Sequence, residues 1–275
     1  MPNPSPYRRI AVASTFSPRF KQVIAEARRI RDRFGSELNL IHVGRQTEET
    51  TRKFREALAE LELPQDSAVH YREGDPAEAI LTAARENDID LLMAGALEKE
   101  VILRPFLGDV ARRLVRKASC SVLLFTKPEQ EPKALKQIVF VTDYSEHARE
   151  ALKQTFHLAE TESCERLYVI RVYTTFDQAR AGLTGEAEGT ERRRTFEEEE
   201  TALEEFILGA GHTEVPVEAR CLRGNTGFAA SDFVQSVNAD LLAVPVPKHD
   251  AGDAELPSHI AWITDVIPCN LWVIR

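Results

Sequence analysis

The sequence predicts an α/β chain made of two tandem copies of one unit, each a five-stranded parallel sheet covered by helices on both faces. Three observations predict it. Short apolar runs alternate with amphipathic segments along the chain, the pattern of parallel strands joined by crossover helices. The landmarks of the first half recur in the second at an offset with a single large step. At 275 residues, 43% hydrophobic and 29% charged, the chain has room for one large domain or two of ordinary size and the composition of a folded globular protein.

The elements of the first copy follow in order. RRIAVAS (8–14) reads as a strand and SPRFKQVIAEARRIRDRFG (17–35) as a helix closed by glycine. ELNLIHVG (37–44) is the second strand and TEETTRKFREALAELEL (47–63) the second helix. AVHYREG (68–74) is the third strand; in the helix after it, Asp75 suits the N-cap and Pro76 the first turn. DLLMAGA, a loop, the helix GDVARRLVRKAS and the strand CSVLLFT (120–126) complete the unit.

The second copy begins at Ile138 with IVFVTDYSEHAREALKQTFHLA, a strand, a turn holding Asp143 and Ser145, and a helix. Gly74 lies 16 residues before Asp90, and Gly224 lies 16 before Asp240. KASCSVLLF is answered by VIPCNLWVI. The copies are offset by 128 residues at the first strand, 150 at the glycine and 149 at the last cysteine, so one insertion lies between strand and glycine. Its predicted seat is 174–200, a mobile loop running into a charged helix with i,i+4 pairs on its exposed face. The predicted domains are 1–127 and 137–275, joined by a linker at 128–136.

Composition also limits function. A net charge of −9 argues against a nucleic-acid surface. No apolar run approaches the roughly 20 residues of a membrane span, and the MPNPSPYRR start has no signal-peptide core. Cys120, Cys164, Cys221 and Cys269 lie far apart without a C-x-x-C pair, as expected of reduced thiols in a cytoplasmic protein. Cys120 and Cys269 each precede a final strand and suit the core. The histidines show no metal spacing; His42, following a strand, reads as a half-buried core position. Ser258, His259, His249 and Asp250 lack any G-x-S-x-G context, so no catalytic residue and no enzyme activity are predicted. Trp262 and Trp272 read as packing or interface residues.

IVFVTDYSEHAREALKQTFHLA, REGDPAEAILTAARENDIDLLMAGA and GDVARRLVRKASCSVLLF resemble the first strand–helix, the fourth-strand region and the C-terminal part of universal stress proteins. The resemblance covers nearly the whole chain, twice. It implies the five-stranded α/β sandwich of that family, of adenine nucleotide alpha hydrolase type. Because the family dimerises through its last strands, it also implies a pseudo-dimer within the chain, with CSVLLF meeting NLWVIR near a pseudo-two-fold and hiding the sheet edges. A homodimer stays open.

One branch of the family binds ATP through an acid ending the first strand and a G-x2-G-x9-G loop followed by Ser or Thr. On that pattern Thr15 stands where the acid is expected, Gly95 fits the first glycine, Glu98 replaces the second, Gly108 fits the third and Asp109 replaces the hydroxyl. Val43, at the end of the second strand, joins this set. In the second copy Asp143 keeps the acid, but Pro245 stands for Gly95, Ser258 for the third glycine and His259 for Asp109. Glycines let a loop backbone approach a phosphate and take φ > 0, which Glu98 does not do easily. Two like charges about 4 Å apart cost on the order of 4 kcal/mol at an effective dielectric near 20. Asp109 adds a second repulsion, and reads equally as an N-cap. Mg²⁺ could turn these acids into ligands, and Lys99 and Arg104 could offset them. AMP would avoid part of the penalty that ATP meets.

Two functions follow as expectations: a stress or signalling module that senses an adenine nucleotide, ATP or AMP with Mg²⁺, or a scaffold that binds a protein partner such as a membrane transporter. Slow ATP hydrolysis would need phosphate clamps the sequence does not offer.

Overall fold

The computed structural model describes residues 6–96, 107–173, 195–224, 226–248, 256 and 267–275. The first half runs β1 (Arg9–Ser14), α1 (Phe20–Phe34), β2 (Glu37–Val43), α2 (Glu48–Glu60), β3 (Val69–Arg72), α3 (Pro76–Glu86), β4 (Leu91–Gly95), α4 (Asp109–Lys117) and β5 (Ser121–Phe125). The second runs β6 (Gln137–Val141), α5 (Glu146–Thr161), β7 (Arg166–Tyr173), α6 (Phe196–Ala210), β8 (Val217–Arg223), α7 (Thr226–Ser236), β9 (Leu241–Pro245) and β10 (Asn270–Ile274). All strands join one sheet in the order β3-β2-β1-β4-β5-β10-β9-β6-β7-β8. The predicted α/β duplication and its five strands per copy are therefore present.

Boundaries shift by a few residues. α1 begins at Phe20, not at residue 17, because Ser17 to Arg19 form a turn in which the Ser17 carbonyl accepts from Phe20 N at 3.0 Å. Its end at Gly35, with φ 63, is as read. α3 starts as predicted, with the Asp75 carboxylate accepting from Glu78 N at 3.0 Å and Pro76 in the first turn.

The two halves join edge to edge. β5 and β10 run antiparallel, with Leu123 opposite Trp272, while the other neighbouring pairs are parallel. The first residue of each seam strand seals the far end of the other. Asn270 Oδ1 accepts from Thr126 N at 3.0 Å, and Ser121 Oγ from Arg275 N at 2.9 Å. Two edges that would each expose a ladder of free N–H and C=O groups are thereby paired, as the resemblance implied.

The duplication extends to single hydrogen bonds. Asp90 Oδ2 accepts from the backbone N–H groups of Arg8 and Arg9, at 3.0 and 2.8 Å. Asp240 Oδ2 accepts from those of Lys136 and Gln137, at 2.7 and 2.8 Å. Each aspartate fixes the start of the first strand of its half. Replacing either by alanine is expected to cost roughly 1–3 kcal/mol, because two backbone donors lose their acceptor together; an unchanged urea midpoint would contradict this role.

The loop part of the predicted insertion, 174–194, lies outside the described residues. The charged helix is α6, opened by a capping box between Thr195 and Glu198. The arginines at 192–194 lie outside the described residues and α6 itself carries no basic residue, so the helix supplies no i,i+4 ion pair of its own. Glu199 instead accepts the Tyr144 hydroxyl at 2.9 Å. Among the described residues no helix is long and apolar enough to cross a membrane.

Candidate functional site

In the first half β1 and β4 are neighbours, but the chain leaves them in opposite directions, toward β2 and toward β5. Ligand sites of open α/β sheets form at such a switch point, beyond the carboxyl ends of the strands. A cleft of about 440 Å³ lies there. Its walls are the β1–α1 turn, the first turn of α1, the ends of β2 and β4, the start of α4, and Pro128 after β5.

The cleft brings together four of the residues singled out from the sequence: Thr15, Val43, Gly95 and Gly108. Glu98 lies outside the described residues. Asp109 is present but is not the N-cap. Gly108 takes that position with φ −60 and ψ 154, and Asp109 is already the first helical residue, so its side chain is past the place from which it could cap. Its carboxylate is 74% exposed and sits 3.9 Å from the Arg113 guanidinium, which also holds Asp75 and Glu78. Gly108 also has an extended backbone that other residues adopt, so a left-handed conformation is not what glycine provides there. A glycine N-cap has no side chain of its own with which to accept from the opening N–H groups of α4.

Ser14, Arg19 and Pro128 are among the wall residues that the sequence did not single out. Ser14 is buried, and its hydroxyl has no hydrogen-bond partner. Arg19 is a cation on the cleft wall. Pro128 belongs to the segment read as a linker.

His42 supports the site from below. It lies within β2 and is buried, not half-buried after the strand. Its Nδ1 is 3.2 Å from the Ser14 carbonyl oxygen, and its ring packs 4.8 Å from that of Phe16. Gly44, at φ 155, must stay glycine, since a Cβ there would come within 2.7 Å of His42 Nε2.

The second half repeats this support with other residues. The register pairs Ser14 with His42 in the first half, and in the second it pairs Val141 with Ile170, the residues just before Thr142 and Arg171. Arg171 Nη1 donates to the Thr142 carbonyl at 3.3 Å, and its guanidinium lies 4.9 Å over the Tyr144 ring. Asp143 is in this half, away from the cleft described, and its Oδ1 accepts from Ser145 N at 2.9 Å in the turn that starts α5. His249, Asp250, Ser258, His259 and Trp262 lie outside the described residues. Burial and the Glu199 carboxylate push the Tyr144 phenol up.

The cysteines pack as read. Cys120 and Cys269 are buried beside their strands; burial pushes the first thiol up to about 11 and the second further up. Trp272 is fully buried at the seam. Among the described residues no group of three metal-ligating side chains occurs.

The sequence profile of the Universal stress protein family matches residues 6–126 and again 134–275. The chain belongs to the universal stress protein family. A universal stress protein of Methanocaldococcus jannaschii is 39% identical over 59 residues, 22% of this chain and 35% of that relative, so the chain spans about a third of its length. The structure of a universal stress protein from Archaeoglobus fulgidus superposes with a TM-score of 0.69 at 14% identity, covering 98% of both chains. The cytoplasmic domain of a prokaryotic cation chloride cotransporter gives a TM-score of 0.53 at 13% identity, covering 97% of this chain and 95% of that one. These structural likenesses establish the tandem fold of this universal stress protein; the contents of its cleft are a matter for its own residues.

Proposed function

We propose that this universal stress protein acts by binding and not by catalysis, its first half holding an adenine nucleotide in the cleft. The carrying observation is that the cleft pairs apolar walls with the start of α4, a serine and an arginine. A volume of about 440 Å³ is in the range of small-molecule sites. Val23, Val43 and Ile80 suit an adenine ring. The opening N–H groups of α4, the Ser14 hydroxyl and Arg19 suit a phosphate. Asp109 is exposed and shares Arg113, so its repulsion is largely screened; Glu98 carries the charge argument against a triphosphate. AMP therefore fits better than ATP, and Mg²⁺ narrows the difference. Among the described residues no nucleophile paired with a base lines the cleft.

Calorimetric titration with AMP, ADP and ATP, with and without Mg²⁺, tests this reading. One site per chain with micromolar affinity and AMP at least as tight as ATP is expected. Gly95→Val, whose side chain would enter the cleft beside Val23, is expected to weaken AMP at least tenfold while leaving the fold intact. Flat titrations of the wild-type chain would sink the reading.

A second reading, contact with a protein partner such as a membrane transporter, is favoured by the second half. Phe196, Leu208 and Phe228 stand 51%, 77% and 71% exposed there. The cotransporter domain of similar fold gives this reading its form.

A further inference from the structure

The cleft wall at Pro128 is the start of a strap, residues 128–136, that crosses from β5 to β6. Two carboxylates staple that strap. Glu26 Oε1, on α1, accepts from Glu129 N at 3.4 Å, next to the wall residue. Glu162 Oε2, at the end of α5, accepts from Leu135 N at 3.0 Å, near the strap's far end. A single arginine joins the two staples. Arg29 donates through Nε and Nη2 to Glu26 Oε2, at 3.2 and 3.0 Å, and through Nη1 to Glu162 Oε1 at 2.7 Å. Arg33 adds a bond to Glu162 Oε1 at 3.1 Å. Glu162 is fully buried, with Arg29 and Glu26 at 9% and 7% exposure, so these bonds act where water screens little.

The same helix reaches the cleft. Phe20 and Val23 line it from the first turn of α1, one turn before Glu26 and two before Arg29. The network thus touches the cleft on two sides, through α1 and through Pro128, and is anchored in the other half by Glu162.

Resting on the reading of the cleft as the binding site, we infer that Glu26, Arg29 and Glu162 are positioning residues for it. They hold the strap against the cleft and tie its shape to the docking of the second half. Loosening the buried carboxylate of the second half opens the binding site of the first. By reciprocity, a ligand that fills the cleft tightens the junction between halves.

Glu162→Gln in the full chain tests this, because glutamine keeps the size and an acceptor for Leu135 N but removes the charge held by Arg29 and Arg33. Two readouts need no ligand. One is hydrogen exchange at the Glu129 and Leu135 amides. The other is the rate of iodoacetamide alkylation of Val23→Cys, a thiol on the cleft wall. Both are expected to rise at least threefold in Glu162→Gln, with exchange in β1 and β4 unchanged. Faster strap exchange with unchanged alkylation would overturn the coupling, and unchanged exchange would overturn the staple itself. Should Glu162→Gln not fold, Arg33→Gln removes one of the same bonds from a half-exposed position and is expected to move both rates in the same direction; no movement overturns the inference. AMP titration of the wild-type chain decides the nucleotide reading separately, and neither ligand-free rate depends on it.

Discussion

Arg29→Met is expected to destabilise the chain by about 3–5 kcal/mol, the cost of breaking a buried ion pair by removing one partner. Glu162 has no exposed side-chain surface and Glu26 has 7%. Both keep one backbone N–H, and Glu162 keeps its bond from Arg33, but Glu26 loses the guanidinium that neutralises it and Glu162 loses one of two. Methionine fills much of the volume, so the loss reports charge more than cavity. The effect carries a pH signature. Burial raises the Glu26 carboxyl above its ordinary 4.5, with Arg29 opposing the rise. A raised folded-state value means that the group's contribution to stability is present below the unfolded value and is lost as pH rises through the folded one. Without Arg29 that rise grows, so the penalty of Arg29→Met is expected to be larger at pH 8 than at pH 5. Replacing Glu26, Arg29 and Glu162 together by apolar residues of similar size should recover only part of the loss: a buried ionic cluster is weak evidence of net stabilisation, but the Glu129 and Leu135 amides then lose their acceptors. Urea denaturation at both pH values checks this. A single-variant cost below about 1 kcal/mol, or one larger at pH 5, would show that water reaches the cluster.

This cluster also shows where the sequence stopped being legible. Strands and helices could be read because periodicity is local, and the duplication because Asp90 and Asp240 keep their distance from the preceding glycine. Each of those aspartates holds two backbone donors that any copy of the unit must satisfy. Arg29 and Glu162, by contrast, are 133 positions apart, and along α1 the charges look like a solvated face. Only the docking of α1 on α5 buries them. Pro128 sat in a polar stretch that reads as a connector, and nothing local marks it as the wall of a cleft. The likeness of His42 and Arg171 was hidden because an imidazole and a guanidinium do one job, reaching the carbonyl at the end of the first strand of each half. At α4 the error was a single residue: Gly108 and Asp109 both suit an N-cap by type, and only backbone angles assign it. The candidate cleft was legible as far as its outline, Thr15, Val43, Gly95 and Gly108. Its polar groups were not, because an unpartnered serine hydroxyl has no sequence signature.

Trp272→Ala is expected to cost about 3–5 kcal/mol, the range for removing a large buried aromatic side chain. Trp272 has no exposed surface, and its ring lies 6.0 Å from those of both Tyr7 and Phe34. Tyr7 and Phe34 belong to the first half and Trp272 to the second, so this aromatic cluster is shared across the seam. Tyr7 is tied in further by its hydroxyl, which donates to Ser121 Oγ at 3.0 Å, and Phe34 stacks on His157 of α5. An alanine at 272 leaves the β5–β10 hydrogen bonds in place but removes the side chain that fills the space between α1, α5 and the sheet. Its cost therefore falls on the cohesion of the halves, and not on either half alone. Phe54→Ala is the matching control: Phe54 is also buried, but packs among Phe16, Phe20 and Tyr71 within the first half. Both variants are expected to lose several kcal/mol. Trp272→Ala alone is expected to make the two halves unfold at separate urea concentrations, because cooperativity between domains depends on the apolar contact between them. Hydrogen exchange in β1 and β6, followed against urea, distinguishes the cases. Coincident loss of protection in both strands of Trp272→Ala would mean that the seam backbone and the Arg29 cluster suffice to keep the halves one cooperative unit.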